Sequence, residues 1–95
     1  MLVIGVPLLT EFSQKHADAE PRLAAWLHEA DAAEWSSPAD VKGRYPSASF
    51  LSGNRVVFNI GGNNYRLVVQ INYEANVIVI ERVGTHAEYN RWRLS

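Results

Sequence analysis

Between Arg55 and Tyr73 the apolar residues recur at every second position, and the pattern breaks once, at Gly61-Gly62-Asn63-Asn64. Alternation on both sides of a glycine–asparagine turn specifies two antiparallel strands, Arg55–Ile60 and Tyr65–Tyr73, joined as a hairpin. Centring the turn on Gly62-Asn63 sets Phe58 opposite Leu67, Val56 opposite Val69 and Ile60 opposite Tyr65, all on one apolar side. The other side collects Arg55, Asn59, Arg66, Gln70 and Asn72, with Asn59 facing Arg66. A third strand, Val77–Arg82, follows a turn at Glu74-Ala75-Asn76. The length of that loop leaves open whether Glu81 or Arg82 joins the polar side. The apolar run Val77-Ile78-Val79-Ile80 implies burial on both sides of this strand.

The first forty residues have a different period. Met1 to Val6 reads as a short strand closed by Pro7, and Leu8, Leu9, Phe12 and His16 then share one face of a short helix. Asp18-Ala19-Glu20-Pro21 opens a second helix, with acids and a proline in the first turn. Its core-facing stripe is Leu23, Trp26, Leu27, Ala30 and Ala33, and Ser36-Ser37-Pro38 ends it. Pro38 to Arg44 reads as a short turn capped by Ser37, after which Tyr45-Pro46 forces the chain extended. Near the end, Thr85 and Glu88 form a capping box that opens a short helix beginning at His86. Tyr89 and Asn90 then share the face of His86. The expected fold is α+β: a mainly antiparallel sheet with two N-terminal helices packed on one face and a short C-terminal helix. Residues 1–95 are expected to form a single domain.

Composition narrows the function classes. The 95 residues include no Cys, which excludes disulfides, thiolate metal sites and a cysteine nucleophile. No apolar run approaches the roughly 20 residues that span a bilayer, and the N-terminus carries no signal-peptide pattern. A cytoplasmic protein without membrane contact is the expectation. Charge is split: residues 1–40 carry seven acids and two bases, whereas residues 41–95 carry seven bases and three acids. Six of those seven bases are Arg, whose planar fork suits phosphate, so a polyanion on the basic half is a natural partner.

Serine-hydrolase, P-loop and dinucleotide-binding motifs are absent, and His16, His28 and His86 lack metal-ligand spacing. One constellation carries chemistry. Arg66 and Asn59 stand on the polar side of the hairpin, and His86 begins a helix with Tyr89 one turn on. An imidazole beside guanidinium groups suits cofactor-free RNA cleavage: a base takes the ribose 2′-OH proton while Arg stabilises charge on the phosphate. Tyr89 stacks on a base or hydrogen-bonds a phosphate in this reading. The plainer reading of the same residues is a solvated strand Arg, a helix-start His and a Tyr packed between helix and sheet.

Three blocks of the chain resemble a known family. They are Ser37-Pro38-Ala39-Asp40-Val41-Lys42 with Tyr45-Pro46-Ser47-Ala48; Asn54 to Ile60 with Gly62-Asn63 and Tyr65-Arg66-Leu67-Val68; and Val83-Gly84-Thr85-His86-Ala87-Glu88-Tyr89. In order and spacing they are similar to HigB-type toxins of the RelE superfamily. The resemblance implies the toxin of a type II toxin–antitoxin system, a metal-independent endoribonuclease that cuts mRNA in the ribosomal A site and inhibits translation. It implies no cofactor and a helix-turn-helix antitoxin of HigA type, with operator DNA bound only through that complex. Carried over by position, it makes Arg66, His86 and Tyr89 the catalytic candidates. Arg55, Asn59, Arg82, Asn90, Arg91 and Arg93 are the candidates for holding the rest of the RNA. The chain departs from the family where relatives carry strand lysines, having Val57 and Asn59, and where relatives carry Asp, having Asn90. Those departures define the alternative, a RelE-fold protein with weak or no catalysis that binds an antitoxin-like partner or RNA.

Overall fold

The computed structural model describes residues 1–92. In chain order the elements are β1 (Leu2–Ile4), α1 (Val6–Lys15), a 3₁₀ turn (Ala17–Ala19), α2 (Glu20–Ala32), α3 (Pro38–Arg44), β2 (Ser49–Leu51), β3 (Arg55–Ile60), β4 (Tyr65–Asn72), β5 (Val77–Thr85) and α4 (His86–Tyr89). The strands make one sheet in the order β1-β5-β4-β3-β2. All neighbours are antiparallel except β1 and β5. The architecture is α+β, as the period change implies.

The hairpin register is the one the turn dictates: Phe58 faces Leu67, Val56 faces Val69, and Asn59 faces Arg66. Gly61 and Gly62 make the reversal possible, at φ of +63° and +69°, a conformation that other residues adopt with strain. The apolar side of the hairpin meets Leu9 of α1 and Leu23, Trp26 and Ala30 of α2 in one core. Phe58 is its centre, with ring centroids of Tyr45 at 5.1 Å, Trp26 at 5.5 Å and Trp35 at 6.4 Å. Two further contacts tie the 3₁₀ turn and α1 to β4. The Tyr65 hydroxyl donates to Asp18 at 2.6 Å, and that bond holds its pKa above the usual tyrosine value. His16 stacks on Phe12 at 4.3 Å and meets Tyr65 edge-on.

Four details differ from the sequence expectation. Pro38–Arg44 is a helix, not a turn, and the Ser37 side chain does not cap it. Instead Asp40 reaches back to accept from both the backbone N–H and the hydroxyl of Ser36, at 2.9 Å each. Ser49–Leu51 is a strand, formed because β3 offers it an open edge. The last strand runs past Arg82 to Thr85. Its register shifts between Val68 and Val69, where a bulge inserts one residue. The bulge answers the loop-length question: Glu81 reaches Arg55, and Arg82 falls opposite Val68. Val77 and Val79 are half-buried rather than buried.

Candidate active site

Of the candidate residues, Arg66 lies on β4, and His86 and Tyr89 lie on α4 at the end of β5. Arg66 sits on β4, opposite Asn59 on one neighbouring strand and Gly84 on the other. Its side chain is only 9% exposed, whereas a polar-face arginine is expected in solvent. The guanidinium folds back onto the β3–β4 turn: Nη1 donates to the carbonyls of Asn63 at 3.1 Å and Tyr65 at 3.2 Å. The Tyr89 ring lies against it, 5.5 Å from centroid to guanidinium carbon. Among the described residues no carboxylate pairs with Arg66. A buried cation held only by carbonyl dipoles and a ring is incompletely compensated, which favours an anion arriving beside it.

The capping box holds α4 at the end of β5. Thr85 Oγ1 accepts from the Glu88 backbone N–H at 3.1 Å, and Glu88 Oε1 accepts from the Thr85 N–H at 2.8 Å. The His86 N–H donates to the Asn64 carbonyl at 3.0 Å, joining α4 to the hairpin turn. His86 is exposed, and Asn90 Nδ2 lies 3.2 Å from its Nδ1. An amide nitrogen only donates, so with the amide turned this way Nδ1 is the acceptor of the pair. Turned about, the Asn90 amide would instead accept from Nδ1–H and leave Nε2 free to take a proton. Tyr89 is half-buried and meets Trp92 edge-on at 5.9 Å, and Arg82 lies 5.5 Å from the Trp92 ring.

The bond from Thr85 holds the Glu88 carboxyl below the usual carboxylate range, and the Thr85 hydroxyl contributes less. With the folded value below the unfolded one, the contribution of the box is complete above about pH 4.3 and is lost as pH falls through the folded value. Acidification below about pH 4 is therefore expected to loosen α4 first, seen as an early near-ultraviolet circular dichroism change from Tyr89 and Trp92. Glu88→Gln should remove that early phase. Thr85→Ala should weaken α4 at neutral pH by about 1 kcal/mol.

The remaining candidates are divided. Arg55 is engaged by Glu81 at 2.8 Å, both side chains being half-buried. The Asn59 amide donates to the Ser47 carbonyl at 3.2 Å, away from Arg66. Arg82 and Arg91 are exposed beside α4, and Arg93 lies outside the described residues. A groove of about 430 Å³ leads from Arg82, Glu88 and Trp92 along α1 past Lys15 and His16. A hollow of about 460 Å³ lies at the far end of the sheet, around Asn54, Gln70, Asn72 and Tyr73, and no basic residue lines it. We place the site by its chemistry, at the Arg66 end. Neither Trp92 nor Gly84 is among the residues that the sequence marks as site candidates. Tyr89 and Trp92, one helical turn apart, were the available signal. Among the described residues no three His, Cys, Asp or Glu side chains converge as a metal site requires, and no helix is long and apolar enough to cross a membrane.

Over residues 19–92 the chain matches a class described as the RelE-like toxic component of a toxin–antitoxin system. The family is HigB_toxin, and the chain belongs to it. Among similar proteins is the mRNA interferase toxin HigB of Escherichia coli (strain K12), 27% identical over 92 residues, covering 95% of this chain and 88% of that protein. The mRNA interferase HigB proteins of Escherichia coli O157:H7 and Shigella flexneri match with the same identity and coverage.

Proposed function

We propose that this chain is an mRNA endoribonuclease, the toxin of a toxin–antitoxin pair, acting in the cytoplasm without a metal and on mRNA in the ribosomal A site. The observation that carries this reading is the buried Arg66 guanidinium, which lacks a carboxylate partner among the described residues. Membership of a toxin family and relatives named mRNA interferases support it. The partner in this reading is a helix-turn-helix antitoxin of HigA type, through which alone the complex reaches operator DNA.

In the reaction, the scissile phosphate takes Arg66 Nε and Nη2, the donors not spent on the turn carbonyls. His86 Nε2 takes the proton of the ribose 2′-OH, with the Asn90 amide oxygen turned to Nδ1–H. The 2′ oxygen bonds to phosphorus, the bond to the 5′ oxygen breaks, and the leaving oxygen is protonated from solvent. Preorganised donors at the phosphate and a positioned base each contribute on the order of 10²-fold or more. Tyr89 stacks against the base at the cut.

The test is 5′-labelled mRNA on programmed ribosomes beside the same mRNA free in solution. The expected result is cleavage on the ribosome alone, leaving a 2′,3′-cyclic phosphate. A 3′-hydroxyl product contradicts attack by the 2′ oxygen. Asn90→Asp gives a further expectation. A carboxylate can only accept, so it fixes the proton on Nδ1 and frees Nε2, and the variant should cut at least about 10-fold faster. Asn90, standing where the family resemblance puts Asp, favours a second reading, a family member of low activity whose main work is binding its antitoxin.

A further inference from the structure

Gly84 lies directly across from Arg66 on β5, in the stretch linking the last strand to α4. Its φ is not positive, so the main chain does not call for glycine there. Space does. A β-carbon at this position would stand 2.6 Å from Cζ2 and 2.9 Å from Cη2 of Trp92, and 3.3 Å from the Glu88 β-carbon. Carbon atoms pack at about 3.5–4.0 Å, so a methyl group here would have to push the indole aside. The indole fills the place where a side chain at 84 would be.

From that seat a line of contacts runs to the site. Trp92 meets Tyr89 edge-on at 5.9 Å with planes 80° apart, and the Tyr89 ring lies 5.5 Å from the Arg66 guanidinium carbon. Arg82 covers the indole from the strand side, at 5.5 Å. α4 has four residues, far fewer than a helix needs to hold itself together. The angle at which it presents Tyr89 is therefore set by its anchors: the Thr85–Glu88 box, the His86 N–H bond to the Asn64 carbonyl, and the indole on Gly84.

We propose that Gly84 is a positioning residue: by leaving β5 bare opposite Arg66 it seats Trp92, and Trp92 fixes the Tyr89 ring against the Arg66 guanidinium. The geometry stands by itself; its consequence for rate rests on the RNA-cleaving reading above.

The test is a double-mutant cycle of Gly84→Ala, Trp92→Ala and the pair, read by cleavage kinetics and by NMR. Gly84→Ala is expected to lower kcat about 10- to 100-fold with KM little changed, the size that follows from misplacing a site group by about 1 Å. Trp92→Ala should give a similar loss, and the pair no more than either alone, since both act through one contact. In NMR the Gly84 α-protons should show a ring-current shift that Trp92→Ala abolishes. Gly84→Ala should move the Tyr89 ring resonances in the natural chain and not in the Trp92→Ala background. Additive losses, or Tyr89 resonances that neither substitution moves, overturn the proposal. If Gly84→Ala does not fold, Trp92→Ala decides, because it removes atoms rather than adding them: an unmoved Tyr89 ring sinks the idea. If the natural chain cuts no RNA, the cleavage reading falls while the NMR arm still decides the seat.

Discussion

Replacing Arg66 with alanine is expected to lower mRNA cleavage by about 10²–10³-fold, the cost of deleting one preorganised donor at a developing oxyanion. Arg66→Lys should fall between the two, because an ammonium keeps the charge but cannot offer two donors in a plane while also holding the turn. The same guanidinium binds the carbonyls of Asn63 and Tyr65, so its loss also frees the β3–β4 turn. Circular dichroism separates the effects. A folded Arg66→Ala chain that cuts at the natural rate contradicts the assignment, whereas an unfolded one shows the arginine to be structural first.

Phe58→Ala should have the largest effect on stability. Phe58 is fully buried at the meeting of β3, α2 and the segment carrying Trp35 and Tyr45, and its ring touches three other aromatic rings. Truncating a buried phenylalanine costs about 3–5 kcal/mol, from lost transfer energy and from the cavity left behind. Small proteins hold only about 5–15 kcal/mol in total. For a chain of this size the melting temperature should drop by about 15–30 °C. A loss below about 1 kcal/mol would mean that the aromatic cluster collapses around the gap, and that the helices are held to the sheet by other contacts.

Fold and site were legible to different degrees, for physical reasons. The register of β3 and β4 could be read because one turn and one alternation determine every pair from Ile60–Tyr65 to Arg55–Gln70. The stripe Leu23, Trp26 and Ala30 was equally plain, since helical spacing alone brings it to one side. The bulge in β5 was not legible. It depends on how the strand meets β4 and β1 together, and nothing local marks Glu81 as the extra residue. β2 was missed for a similar reason: three residues have no pattern of their own and pair only because β3 is there.

At the site, residue types were readable but states were not. The sequence put Arg66 beside Asn59, and the strands do so. Its burial arises from the turn carbonyls and the Tyr89 ring, and the ring arrives only after β5 and α4 have folded over. Arg55 and Asn59 share that face by alternation, yet Glu81 and the Ser47 carbonyl claim them, contacts that no spacing rule contains. The capping box was visible because it is local, three residues apart. The seat of Trp92 on Gly84 was not, because the contact forms around that box rather than along a single element.

The most direct measurement is genome-wide mapping of mRNA 5′ ends in bacteria after inducing this chain, beside its Arg66→Ala variant. The expected result is growth arrest with new in-frame cuts in translated messages, and neither with the variant. Well-expressed, folded natural chain that causes no arrest and no cuts would contradict the central claim, and leave a toxin-family fold that binds without cutting.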